Sequence, residues 1–244
     1  MLPIDVRKYS RILGDFFFPV TCGYCHQRVF NAPAFCENCL SDLKERLIPH
    51  WANRCSRCSR IICAGKDICA SCASLGRHYL PERIHSLFSY QERIRSLILD
   101  YKVRHMFNLK RVFAKFLSES SFIHHALHDG FIIVPVPSCT TSFSAISLIA
   151  KELQEYHGIP YRNLLKNKAK KSQKNLSRLD RLTNLENNII FRGHAISKVL
   201  LLDDILTTGS TAHECVKVLS THGARDIRVC VISSVPETIN NIAG

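Results

Sequence analysis

The sequence predicts an α/β fold, a mostly parallel sheet with flanking helices, preceded by a small cysteine-rich module. Three observations carry this. Beyond residue 84, short apolar runs alternate with stripes at helical spacing. Nine of the twelve cysteines lie between Cys22 and Cys72. A chain of 244 residues, 46% of them apolar, has enough material for one α/β core and a small appendage.

In chain order, residues 3–18 read as a short helix closed by Phe16, Phe17, Phe18 and Pro19. Residues 20–75 lack long apolar stripes, so this stretch needs a staple to fold. Pro81 marks a boundary that divides the chain into residues 1–80 and residues 81–244. Ile84 to Tyr90 alternates as a strand. Helical spacing follows twice, in Ile94, Leu97, Ile98 and Tyr101, then in Leu109, Val112, Phe113 and Phe116. Phe131–Val136 is an apolar run closed by Pro135 and Pro137, which reads as a buried strand. Phe143, Ile146, Ile149, Ala150 and Leu153 form a helical stripe ending at Gly158. Residues 166–186 are polar and basic with few core candidates. Val199–Leu202 reads as a buried strand, Ala212, Cys215, Val216 and Leu219 as a helix stopped by Gly223, and Ile227, Val229 and Val231 as a final strand. Strands alternating with helices imply a mostly parallel sheet covered on both faces.

The formal net charge is +13, which favours anionic partners such as nucleic acid, phosphates or a membrane surface. No run approaches the roughly 20 apolar residues that span a bilayer, so no transmembrane segment is expected. The first residues carry acid and base without a cleavable hydrophobic core. A cytoplasmic location is expected, and there clustered Cys-x-x-Cys pairs read as metal-binding before disulfide-bonded.

The pairs are Cys22/Cys25, Cys36/Cys39, Cys55/Cys58 and Cys69/Cys72. Ten residues separate the first pair from the second and the third from the fourth, so one unit is used twice with an offset of 33 residues. Each Cys-x-x-Cys turn presents two sulfurs to one ion, and two turns complete a closed tetrahedral zinc site. One or two structural zinc ions are expected. Cys63 has no counterpart in the first unit, where Phe30 stands. Residues 1–80 hold eleven Lys and Arg against six Asp and Glu. Eight thiolates on two zinc ions carry a formal charge of about −4, so the loaded module is nearly neutral and the positive field belongs to the rest of the chain.

The segment Val199 to Thr211 carries the most chemistry. A buried strand delivers Asp203 and Asp204 to its carboxyl end, the edge where ligands sit in open α/β sheets. Thr207, Thr208, Gly209, Ser210 and Thr211 follow, and a helix begins. Gly209 permits close backbone approach, and helix N-terminal N–H groups with hydroxyls suit a phosphate. Carboxylates repel a phosphate; they fit sugar hydroxyls, or magnesium held through water. There is no Gly-Lys-Ser/Thr, so this is not a Walker loop.

This segment resembles the ribose-phosphate motif of type I phosphoribosyltransferases: apolar strand, two acids, two apolar residues, Thr-Thr-Gly-x-Thr. The resemblance implies that Asp203 and Asp204 contact ribose hydroxyls and that Thr207–Thr211 hold the 5′-phosphate of phosphoribosyl pyrophosphate with its magnesium. Over nearly the whole chain the sequence is closer still to the ComF proteins of natural competence, which also carry paired Cys-x-x-Cys units before a type I phosphoribosyltransferase-like domain. Tyr90 to Lys102 is similar to the helix that enters their phosphoribosyltransferase-like domain, Val134-Pro-Val-Pro137 to their second strand, and Gln173, Leu176, Arg181, Asn184 and Phe191 to their basic mid-segment. After Val-Pro-Val-Pro those proteins usually have Arg-Gly-Phe-Asn; here Ser138 to Ala145 has neither that Arg nor that Gly. Ser138, Thr140, Thr141 and Lys102 remain the candidate pyrophosphate contacts.

Residues 162–192 hold nine Lys and Arg against Asp180 and Glu186. Lys168, Lys170, Lys171, Lys174 and Arg181 are candidates for anion or DNA contact, driven by the backbone charge because few aromatics are present to stack on bases. Two functions share the one site. A ComF-like competence protein would bind phosphoribosyl pyrophosphate while handling incoming single-stranded DNA, with other DNA-uptake proteins and peripheral association with inner-membrane machinery as implied partners. The alternative is an active phosphoribosyltransferase with an unidentified acceptor.

Overall fold

The computed structural model describes residues 20–29, 35–49, 52–74, 84–138, 144–168, 188–194 and 196–237. The expected helix over 3–18, Pro81 and Phe143 lie outside them, as do Thr140, Thr141, Lys170, Lys171, Lys174 and Arg181.

The strands are β1 (Val20–Thr21), β2 (Arg28–Val29), β3 (Ile84–Ser89), β4 (Ile132–Pro135), β5 (Leu165–Asn167), β6 (Ile189–Phe191), β7 (Lys198–Leu206) and β8 (Asp226–Ser234). The helices are α1 (Glu37–Glu45), α2 (Ala70–Ser74), α3 (Glu92–Lys102), α4 (Leu109–Ser118), α5 (Ser121–His128), α6 (Ala145–His157) and α7 (Ser210–Thr221). β3, β8, β7 and β4 lie side by side in that order, every pair parallel. The parallel α/β architecture read from the alternation of runs and stripes is the one observed.

The sheet's two faces are visible in the parity of its central strands. Leu200, Leu202, Cys230 and Ile232 join one apolar cluster; Val199, Leu201, Val229 and Val231 join the other. Successive strand residues point to opposite faces, so a strand buried on both must be apolar throughout. The first face is covered by α3, α4, α5 and α6, and by the first cysteine unit through Cys22, Val29, Phe35, Cys39 and Leu43. The second is covered by α7, by Leu165 and Ile189 of the antiparallel β5–β6 pair, and by Cys55, Cys58, Ile62, Cys69 and Cys72 of the second unit. The connector between the units covers the open edge of β3: Leu47 bridges Phe88, and the Ile48 N–H donates to the Leu87 carbonyl at 2.8 Å.

Three elements exceed the sequence reading. β7 runs on past Leu202 to Leu206 because β8 continues to pair with it, Ile205 opposite Ser233 and Leu206 opposite Ser234. α1 and α5 are helices that apolar spacing alone does not specify. α6 ends where expected, with Gly158 taking a left-handed conformation (φ 67°) as its C-cap.

Leu200 lies at the sheet's centre with no exposed surface. Leu200→Ala is expected to lower the unfolding free energy by about 2–5 kcal/mol. Denaturant titration checks this, the midpoint falling while the slope stays unchanged.

Candidate functional site

The connections place a crevice at the carboxyl edge between β4 and β7. From β4 the chain passes through α6 and returns at Tyr161, bridged in parallel to Ile133 on the outer side of β4. From β7 it passes through α7, on the opposite face, and returns as β8. Adjacent strands whose connections leave in opposite directions open a gap between their carboxyl ends, the usual ligand site in such sheets. Val136 to Ser138 line one side of this gap and Asp203 to Thr211 the other. The Val136 N–H donates to the Leu202 carbonyl at 2.9 Å, which holds the two sides in register.

Asp203 and Asp204 stand on β7 itself, inside the last part of the strand. The Asp204 N–H donates to Asp203 Oδ1 at 2.8 Å. Burial pushes the Asp203 carboxyl well above the usual carboxylate range, and the Asp204 charge beside it adds to the shift. Lys102, the last residue of α3, brings its Nζ within 2.6 Å of Asp204 Oδ2. Burial works against the Lys102 charge, but the Asp204 carboxylate outweighs it and raises the ammonium pKa. Lys102 therefore sits against the acid pair. Tyr101 fixes the end of α3 by donating its hydroxyl to the Ala145 carbonyl at 2.7 Å, at the start of α6.

The hydroxyl loop has a defined shape. Gly209 is left-handed (φ 83°) and caps α7 without a side-chain cap bond; other residues adopt this conformation at a cost. Thr208 Oγ1 lies 2.7 Å from Ser210 Oγ and 3.4 Å from the Ser210 N–H. Thr207 is exposed, Thr208 and Thr211 are half-buried, and Ser210 is buried. The loop thus offers hydroxyls and helix N-terminal N–H groups on the same strand end as the acids. Ser138 is described and half-buried on the β4 side, and Lys168 is exposed just beyond β5. The gap between β4 and β7 supplies the topology, and the loop after β7 supplies the phosphate-suited groups.

The cysteines form two groups, Cys22/Cys25/Cys36/Cys39 and Cys55/Cys58/Cys69/Cys72, and within each the sulfurs all lie within 4.8 Å of one another. Tetrahedral thiolates on one zinc stand about 3.8 Å apart. The Cys25–Cys36 sulfur distance is 3.8 Å and the Cys58–Cys69 distance 3.7 Å. Both groups fit zinc.

The 33-residue repeat is reproduced in the hydrogen bonds around the first cysteine of each unit. The Cys22 N–H donates to the Gln27 carbonyl and the Cys55 N–H to the Arg60 carbonyl. The His26 and Ser59 N–H groups donate to the Cys22 and Cys55 carbonyls, and His26 and Ser59 share a positive φ of 60° and 57°. The Cys36 and Cys69 N–H groups donate to the Cys22 and Cys55 sulfurs. Hydrogen bonding to these sulfurs favours thiolate: burial opposes it at Cys22, but N–H groups of Cys25, Cys36 and Tyr24 outweigh it, and Cys55 is held far below the usual thiol range by Cys58 and Cys72. Cys63 belongs to neither group.

The ties of these units to the α/β core had no sequence signal. Arg54 donates to the Ser59 hydroxyl and to the Ser86 and Ile48 carbonyls. Arg60 Nη2 donates to the Thr207 carbonyl at 2.5 Å. The Ala70 N–H donates to Glu237 Oε1 at 2.7 Å.

No protein-family model matches the chain. Two curated proteins are similar to it. Competence protein ComFC of Streptococcus pneumoniae is 27% identical over 175 residues, 71% of this chain and 77% of that protein. Competence protein F of Haemophilus influenzae is 26% identical over 231 residues, 87% of this chain and 96% of that protein. Among solved structures, hypoxanthine phosphoribosyl transferase of Trypanosoma cruzi aligns with a TM-score of 0.38 and 13% identity, over 53% of this chain and 75% of that one. The resemblance to ComF proteins read from the motifs thus extends over most of the chain. Among the described residues no helix is long and apolar enough to cross a membrane.

Structural zinc supplies folding energy. Purified reduced protein is expected to carry two zinc ions per chain by elemental analysis. Cys22→Ser and Cys55→Ser should each lower that content and the soluble yield. Freshly prepared wild-type protein free of zinc would exclude the metal assignment.

Proposed function

We propose that this chain is a ComF-type competence protein, acting in the cytoplasm, whose carboxyl-edge site binds phosphoribosyl pyrophosphate with magnesium during the handling of single-stranded DNA. The observation that carries the reading is the placement of two carboxylates and a hydroxyl-rich, glycine-turned loop on one strand end, at the gap between diverging connections. In this reading Thr207–Thr211 and the start of α7 hold the 5′-phosphate. Asp203 and Asp204 take the ribose hydroxyls, with Lys102 setting the charge of the pair, and Ser138 faces the pyrophosphate side. Magnesium, when bound, neutralises pyrophosphate charge and is met through water by the acids. The names of the two curated relatives support the competence role, and the excess of Lys and Arg in residues 162–192 supports a DNA contact. Zinc on the two cysteine groups is structural in this reading, since four thiolates close the coordination sphere.

Phosphoribosyl pyrophosphate with magnesium is expected to raise the melting temperature, by about 2.7 kcal/mol of stabilisation at a hundredfold excess over Kd. Asp203→Asn with Asp204→Asn should abolish the rise while circular dichroism stays unchanged. The pH dependence has a definite sign. Asp203 keeps its proton further into the neutral range than an unfolded chain would, so the folded state binds more protons than the unfolded one. Stability from this group therefore falls as pH rises through that interval. Ligand that needs the carboxylate ionised should bind more tightly as pH rises, by up to tenfold per unit, and Asp203→Asn should flatten this slope. A double variant that responds like the parent would refute the ribose assignment, and pyrophosphate measured in the same samples separates binding from turnover.

Neutralising Lys168, Lys170, Lys171 and Lys174 together is expected to weaken single-stranded DNA binding equally for all sequences. The slope of log affinity against log salt should flatten by about 0.7 for each phosphate that the variant no longer neutralises. A parent protein that does not bind single-stranded DNA even at low salt would favour the transferase reading.

A further inference from the structure

The duplicated unit contains its own internal control. Gln27 and Arg60 occupy equivalent positions 33 residues apart, and each carbonyl accepts the N–H of the first cysteine of its unit. Gln27 is exposed. Arg60 is only 8% exposed and its Nη2 holds the Thr207 carbonyl at 2.5 Å. The knuckle fold therefore does not require an arginine at this place; the contact with the loop is particular to the second unit.

Two features indicate what the guanidinium does there. Its Nε is sealed from solvent with no hydrogen-bond partner, and among the described residues no carboxylate forms an ion pair with it. A buried cation with a single carbonyl partner is costly unless anionic groups lie close. One such group is the second cysteine cluster. Arg60 follows Cys58 of that cluster by two residues, and four thiolates on one zinc carry a formal charge of about −2. The other is the loop itself, whose first hydroxyl residue is Thr207. The same knuckle is joined to the strand ends a second way: the Glu237 N–H donates to the Ile61 carbonyl, the Ala70 N–H to Glu237, and the Val235 N–H to the Leu206 carbonyl. Knuckle, loop and the segment after β8 thus close a ring at the carboxyl edge.

We propose that Arg60 is a positioning residue that couples the metal of the second cysteine cluster to ligand binding at the Thr207–Thr211 loop. A metal-ordered knuckle holds the Thr207 carbonyl and presets the loop before ligand arrives. Reciprocity then requires that ligand at the loop stabilise metal in the cluster by the same factor. This inference rests on the proposed phosphoribosyl reading of the loop.

The test uses full-length zinc-loaded protein, the magnesium complex of phosphoribosyl pyrophosphate, and the variants Arg60→Gln and Arg60→Lys. Zinc content and circular dichroism of Arg60→Gln should match the parent, as the exposed Gln27 of the first unit implies. Its affinity by calorimetry should fall about tenfold, within the range of ordinary site coupling, and Arg60→Lys should recover part of it. Zinc release to a chromogenic chelator gives a second readout that needs no variant: in the parent, saturating ligand should slow one of two release phases, and in Arg60→Gln that slowing should vanish. Parental affinity in Arg60→Gln, or release from the parent unchanged by bound ligand, overturns the coupling while leaving the ligand reading intact. Loss of zinc from Arg60→Gln would make Arg60 a structural residue and also overturn it. A parent that binds no phosphoribosyl pyrophosphate overturns the ligand reading and the coupling together.

Discussion

A strand as apolar as Val199–Leu202 ends in two adjacent carboxylates, and that end is stable only where a cation meets it. Lys102 is that cation, 2.6 Å from Asp204. The pair constrains much around it. α3 must lie on the first face with its last turn over the carboxyl edge, and Tyr101 fixes that turn to the start of α6. α6 in turn sets the diverging connection that opens the gap beside β4. Like charges on neighbouring residues cannot both ionise cheaply at a buried edge, so the Asp203 carboxyl is pushed above the usual carboxylate range while Lys102 meets its neighbour Asp204. Lys102 thus offsets part of the negative charge that the two acids bring to this strand end.

Much of this was legible in the sequence because the relevant signals are local. The apolar run before Asp203, the glycine among hydroxyls and the Cys-x-x-Cys spacing each specify structure within a dozen residues, and each appears where the spacing put it. Local signals fail where two demands fall on the same residues. In α1, Cys39 and Leu43 form a one-sided apolar pair four apart, but Cys39 is equally a metal-site cysteine, and its spacing reports only that role. α5 spans eight residues with only Ile123 and Ala126 buried, too short for the period to repeat. The strand end at Leu206 depends on β8, since only the partner's length shows that pairing continues past the acids. The Arg60–Thr207 contact joins residues 147 apart, and no periodicity reports such a pair.

The cysteine units show how one local solution serves two surroundings. The bonds around the first cysteine of each unit are equivalent, so the knuckle backbone does not distinguish them. What differs is the side facing the core. In the first unit Tyr24 donates its hydroxyl to Asp42, and Arg93 of α3 lies over the Tyr24 ring at 5.2 Å and 3.8 Å from Asp42. In the second, Arg54 and Arg60 reach backbone carbonyls of β3 and of the loop after β7. A segment poor in apolar residues cannot anchor itself by burial alone, and polar ties to main-chain carbonyls are specific because a misplaced arginine would leave both donor and acceptor unsatisfied.

These ties converge. The first unit holds the start of α3 through Arg93, and the far end of that helix delivers Lys102. The second unit holds the loop that follows Asp203 and Asp204. The two metal-fitting units therefore brace, from opposite faces of the sheet, the two elements whose meeting defines the site. An ion pair at a sheet edge is sensitive to displacements of a fraction of an ångström. A closed four-thiolate zinc site would give a short, core-poor segment a stiff anchor, and the two units that fit zinc stand at these two points.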